Sequence, residues 1–317
     1  MALSSLISSV TAANQFKIDK VTLHSLADEL MAMSDADKLS GVFFRFLGQA
    51  VKGTDPSQLV RRINELELRW RSVAAEAASM GLSMLDIILG KSRLPQLQRQ
   101  LHECYMPAVY VGKGMAMGLL KPRCQFHQDV QESMFSWLTV DGMGFAQAFL
   151  HSLTKIGKFQ GLLPLHDCDV KTHQSVFDQG IGRFLWINHG HELPVLVSII
   201  NKQERHRLAD LWAGIGLAST FLGAVDKENM EYLQQEAGQY APDLAVGAAF
   251  ACRARLADGC RLPHLNDAIE VLCRINAQEC AELTEQMMDS LSPYGVDING
   301  IHYSSYHIWR KRLREFF

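Results

Sequence analysis

Small residues recur along this chain at a nearly constant step. Gly-x-Gly occurs four times, at Gly112/Gly114, Gly142/Gly144, Gly180/Gly182 and Gly214/Gly216. With 23 glycines in 317 residues, a near-average usage, roughly 1.6 such pairs are expected by chance. The first glycines stand 30, 38 and 34 residues apart. A degraded copy, Gly247-Ala248-Ala249, follows after another 33, and Ala77-Ala78-Ser79 precedes the series by 35. A recurring step of this size marks a helical-repeat architecture, in which each unit buries its apolar face against its neighbours.

The flanking residues agree with helices. Directly after the small pair stand Met80, Met115, Phe145, Arg183, Leu217 and Phe250, and four residues on stand Met84, Leu119, Phe149, Ile187, Phe221 and Ala254. An i,i+4 pair after a small-x-small step predicts a helix whose first turn admits another backbone. Loop signals lie between: Pro107 and Pro242 each sit five residues before a first glycine, and Pro122, Pro164 and Pro194 follow their copies. Asp141 and Asp178, just before two copies, are expected as N-caps. Residues 57–89 and 265–291 read as amphipathic helix for most of their length. Residues 195–200 and 108–111 are β-compatible, but short apolar runs do not separate strand from buried helix. The expected fold is all-α, a stack of helical hairpins of about 30–38 residues, with an open solenoid and a closed α/α toroid both allowed. Residues 1–40 read as a polar N-terminal cap, 41–292 as the repeat domain, and 293–317 as a terminal capping element.

Composition narrows the partners. Lys+Arg total 31 and Asp+Glu 34, a formal charge of −3, too balanced for a chain that lives on phosphate backbones. No run approaches the roughly 18 consecutive apolar residues of a spanning helix, so neither nucleic acid binding nor a transmembrane segment is expected. The start lacks the basic stretch of a signal peptide. Cys104, Cys124, Cys168, Cys252, Cys260, Cys273 and Cys280 are odd in number and irregular in spacing, which points to a reducing cytoplasm.

A family resemblance runs from about Phe43 to Leu291. Its segments are Glu76-Ala-Ala-Ser-Met80, Tyr110-Val-Gly-Lys-Gly114, Asp141-Gly-Met-Gly-Phe145, Asp178-Gln-Gly-Ile-Gly-Arg183 with Trp186, Asp210-Leu-Trp-Ala-Gly-Ile-Gly216, and Gly247-Ala-Ala-Phe-Ala251 with Arg255. In this order they resemble an uncharacterised bacterial family known as a domain of unknown function, some of whose genes lie beside enediyne-type polyketide synthase clusters. Ala77 departs from a family glycine. The resemblance implies specialised metabolism as a theme and a polyketide-like, unsaturated substrate; it carries no catalytic assignment.

Candidate site residues come from exceptions to the repeat. Arg183 fills a slot that is apolar in other copies, and a guanidinium in a core needs partners. Asp141, Asp178 and Asp210 are the expected partners, either in structural ion pairs between repeats or around a carboxylate or phosphate ligand. Trp186, Trp212 and Phe145, with Phe177 and Phe221 near the two tryptophans, read as core packing or as the lining of an apolar substrate site. Arg207 stands three residues before Asp210, a spacing for an exposed i,i+3 pair or a further substrate contact. His151, His166, His173, His189 and His191 enrich the middle of the chain, and His166-Asp-Cys-Asp169 and His189-Gly-His-Glu192 contain metal-ligand types in stretches that read as loops. Neither His-Glu-x-x-His nor Glu-x-x-His occurs, so no metal is assigned. Glu76, His102, Tyr105 and Tyr110 offer acid–base groups without a spacing that selects one.

No P-loop, dinucleotide fingerprint, nucleophile elbow or kinase set is present, nor an Asp-Asp-x-x-Asp diphosphate motif, and the sequence names no cofactor. Two functions lead the expectations, ahead of a third, a metal-dependent enzyme using the histidine-rich loops. One is a biosynthetic enzyme or accessory factor holding a hydrophobic, unsaturated polyketide- or isoprenoid-like substrate, with Asp141, Asp178 and Asp210 assisting cyclisation or isomerisation. The other is a non-catalytic helical-repeat scaffold for another biosynthetic protein, such as a polyketide synthase component.

Overall fold

A computed structural model of the protein describes residues 39–120, 134–154, 170–223, 226–292, 295–298 and 301–317. The chain divides into two compact units, residues 1–126 with 138–157 and residues 127–137 with 158–317. The first contains α1 (Leu39–Val51), α2 (Pro56–Asn64), α3 (Leu68–Leu89), α4 (Leu94–Gln100), α5 (Met106–Leu120) and α6 (Leu138–Thr154). The second contains α7 (Val170–His189), α8 (Leu193–Asn201), α9 (Leu208–Leu222), α10 (Lys227–Ala237), α11 (Ala241–Ala257), α12 (Pro263–Cys273) and α13 (Ala277–Asp289). A two-stranded antiparallel hairpin, β1 (Val296–Ile298) and β2 (Ile301–Tyr303), precedes α14 (Ser305–Phe316). The expected all-α class is what the chain adopts, and the β-compatible runs lie inside α5 and α8.

Within each unit the helices form two layers. In the first unit α3 packs on α1 and α5, and α5 on α6, while α2 and α4 pair with each other; in the second α9 packs on α7 and α11, and α11 on α13, while α8, α10 and α12 pair in succession. Neighbouring long helices run parallel. Gln147 Nε2 donates to Gly118 O across α5 and α6, Ser175 to Asp210 across α7 and α9, and Arg255 to Phe221 O across α9 and α11, with partners 29, 35 and 34 residues apart. The short helices carry the chain back. They are amphipathic: in α10 Met230, Leu233 and Ala237 face inward while Glu228, Glu231 and Glu236 are exposed.

The recurring glycines make the long layer possible. A Cβ at Gly112, Gly142, Gly214 or Gly247 would lie under 3.0 Å from a carbonyl oxygen of the preceding long helix: that of Glu76, Val111, Gln179 or Ala213. At Gly114, Gly182 and Gly216 it would meet the following helix, at the carbonyl oxygens of Thr139, Leu211 and Leu244. Residues two apart on a helix point about 200° from each other, so one Gly-x-Gly opens both flanks of a helix at one level. The backbones close to distances at which Cα–H···O contacts form, each worth about 0.5–1 kcal/mol. The expected position of the small pair needs correction. It lies past the first turn, because Pro107 and Pro242 stand at the helix starts and push the glycines into the second and third turns of α5 and α11.

α3 is long and apolar enough to cross a membrane by length and composition, yet 72% of its apolar window is buried inside the protein. Ala74, Ala75, Ala77 and Ala78 are completely buried, and Gly81 meets Leu47 and Ala50 of α1. It reads as the core helix of its unit.

Candidate functional site

The densest buried polar cluster among the described residues of the second unit lies along α7, α9, α11 and α14. Asp178 is no N-cap: α7 begins at Val170, and the carboxylate projects from mid-helix with its side chain 1% exposed. Arg207 reaches it from the 3-10 turn Arg205–Arg207 that leads into α9. The guanidinium donates through Nε to Oδ2 at 3.0 Å and through Nη2 to Oδ1 at 2.6 Å, a bidentate geometry that only arginine provides. Gln174 Nε2 adds a third donor at 3.1 Å. Burial raises the Asp178 pKa above the usual carboxylate value, and the Arg207 pairing only partly opposes that shift. Arg207 therefore does not make the expected surface pair with Asp210; it is buried and bridges α7 to the start of α9.

Asp210, in the first turn of α9, accepts from Ser175 Oγ at 2.6 Å and from Arg310 Nη2 of α14 at 2.7 Å, and Arg310 also donates to Ser175. One repeat later Asp243, in the first turn of α11, accepts from Arg314 Nε at 2.9 Å. Burial raises the Asp243 pKa, with Arg314 and Arg310 opposing. Burial works against the charge of Arg310, but Asp210, Tyr306 and Asp243 together more than offset it and the pKa stands raised. Tyr306 of α14 exchanges hydrogen bonds with Gln179 of α7 at 3.2 and 3.3 Å.

The other predicted residues separate. Trp186 and Trp212 are core side chains, 4% and 1% exposed. Asp141, fully buried in the first turn of α6 rather than capping it, and half-buried Phe145 belong to the other unit. Arg183 is half-buried, as are Phe145 and Leu217 in the same slot, whereas Met80, Met115 and Phe250 are buried there; its own place at the border of the core lessens the cost of a charge. Asp178 and Asp210, expected beside Arg183, are engaged by Arg207 and Arg310.

The described histidines of the two expected loop groups lie partly in helix. His173 is a buried helical residue of α7, its ring 5.0 Å from that of Trp137, whereas His189 ends α7 half-buried and His191 is exposed. Burial, then the charge of His191, lowers the His189 pKa. Residues 166–169 lie outside the described residues. Among the described residues no group of three or more His, Cys, Asp or Glu has the arrangement of a metal site.

Asp243, Arg310, Arg314, Ser175 and Tyr306 escape the sequence reading. One signal was available: Asp210 and Asp243 each stand four residues before a first glycine, and Arg310 and Arg314 are one helical turn apart.

A family model described as "Protein of unknown function (DUF1702)" matches residues 20–317. No curated protein and no solved structure matches the chain.

Proposed function

The chain belongs to the DUF1702 family of proteins of unknown function, and from that premise we propose that it is a non-catalytic helical-repeat accessory protein that binds another protein of bacterial specialised metabolism. One observation carries the reading: Asp178 and Asp210, two of the carboxylates suited to acid–base work, are closed into ion pairs with Arg207 and Arg310 that join helices. A general acid or base needs a lone pair or proton turned toward substrate. Trp186 and Trp212, the aromatic rings suited to an apolar substrate, are occupied in the core. The biosynthetic theme, with a polyketide synthase component as the partner class, rests on the resemblance to a family with genes beside enediyne-type clusters. A reducing cytoplasm is the compartment that suits it; none of the five described cysteines is in a disulfide.

The competing reading is acid–base cyclisation or isomerisation of a hydrophobic, unsaturated substrate. Asp178 favours it, as a buried carboxyl whose proton affinity is raised. Co-expression with the products of the neighbouring genes, followed by native mass spectrometry, separates the two. A stoichiometric complex with one gene product, retained in the Asp178→Asn variant, is the expected result. A retained small molecule that the wild-type chain converts and the variant does not would overturn the proposal.

A further inference from the structure

We infer that the face of the second unit covered by α14 is a docking groove for a basic amphipathic helix of a partner protein, with α14 as its resident occupant. The inference rests on the binding reading above and names the chemistry of the partner.

α14 differs from the repeats in how it is held. α7, α9 and α11 meet through glycine backbones, whereas α14 reaches all three through side chains: Tyr306 to Gln179, Arg310 to Ser175 and Asp210, Arg314 to Asp243. Its buried stripe is Tyr306, Trp309 and Leu313, at i, i+3 and i+7, exposed 1%, 2% and 0%. Trp309 stacks on Phe250 with centroids 4.2 Å apart and donates Nε1 to Thr284 O at 2.9 Å. Arg310 and Arg314, four residues apart, fall on aspartates one repeat apart. This is the helix-in-groove mode, with aromatic anchors for depth and a charge ladder for register.

The joint is also incompletely satisfied. Asp243 Oδ2 and Arg310 Nε are buried with no hydrogen-bond partner among the described residues. Each such atom gives up hydration for the field of neighbouring charges alone, so a helix that supplies a donor to Oδ2 gains a hydrogen bond that α14 does not make. The acid rungs at Asp210 and Asp243 select a cationic helix; an acidic one would leave both carboxylates facing like charge.

The probe is a fluorescent synthetic peptide of residues 304–317, titrated against the full chain and against a W309A/R310A/R314A variant whose own α14 lacks its anchors. The peptide is expected to bind the variant at least tenfold tighter than the unaltered chain. Adding D210N/D243N to the variant, or raising salt from about 0.05 to about 0.5 M, is expected to weaken binding at least tenfold. No binding to a variant that keeps its helical circular dichroism and cooperative melt overturns the inference. If the variant does not fold, hydrogen exchange on the unaltered chain decides: α14 amides are expected to exchange at least tenfold faster than those of α11, and equal protection overturns the groove. A neighbouring gene product that still forms a complex when the peptide fails leaves the binding reading standing and removes only the groove.

Discussion

At Asp178 two effects of opposite sign meet, and burial wins. The carboxylate accepts a bidentate arginine, yet its pKa stands above the usual value because its side chain is almost fully removed from water. Its linkage to stability is therefore opposite to that of a carboxylate held low by an ion pair. The folded state takes up this proton at higher pH than the unfolded chain does, near 3.8, so the contribution is complete below that value and is lost as pH rises through the folded pKa. Comparing urea midpoints of the wild type and Asp178→Asn from pH 7 to pH 4 should show the wild type gaining on the variant as pH falls; a wild type that loses ground instead would mean the pairing, not burial, dominates. Removing the cation alone is harsher. Arg207→Ala leaves a buried charge uncompensated and should cost about 3–5 kcal/mol in denaturant melts, and Arg207→Lys should recover only part, because an ammonium cannot reproduce the fork. Sequence brought out both residues but not their bond. Asp178 sits beside a glycine pair and looks like a cap, and Arg207 has a nearer carboxylate at Asp210. What joins Arg207 to Asp178 is the crossing of α7 with the turn before α9, which no local spacing encodes.

Within the helices, the glycines are legible because their spacing reports a contact that repeats. Their place within each helix was not, because a small pair looks the same at a helix start as at a crossing in its second or third turn; the prolines five residues earlier hold the start signal. The contact makes a prediction whose sign departs from propensity. In an exposed helix Gly→Ala stabilises by up to about 1 kcal/mol. At Gly216 the added methyl would collide with the carbonyl of Leu244 on α11, a backbone atom that cannot turn aside. Gly216→Ala should therefore lose about 1–3 kcal/mol by overpacking, read as a lower urea midpoint with an unchanged slope. A gain would mean the α9–α11 seam is looser than backbone contact.

Across a whole unit, coupling should follow the seams. In the second unit α9 touches α7 and α11, and α11 touches α13, so each long helix is stabilised mainly by its neighbours, as in a one-dimensional stack. That translational order is the part of the architecture written into the sequence, since one rule repeated at a near-constant step specifies it. α14 obeys no such rule. Arg314 meets Asp243 from 71 residues away and Arg310 meets Ser175 from 135, so a reading by period places the tail only as a cap. The two kinds of contact separate under native-state hydrogen exchange of Gly216→Ala. Opening should accelerate most in α9 and α11, which share the damaged seam, and less in α7 and α13, one step out on either side. α14 rests on both helices, Arg310 on α9 and Arg314 on α11, but its own easier detachment sets its exchange, so it should accelerate less than that pair. Equal acceleration in every helix of the unit would instead mean that it opens as a single cooperative block, in which the seams carry no local stability of their own.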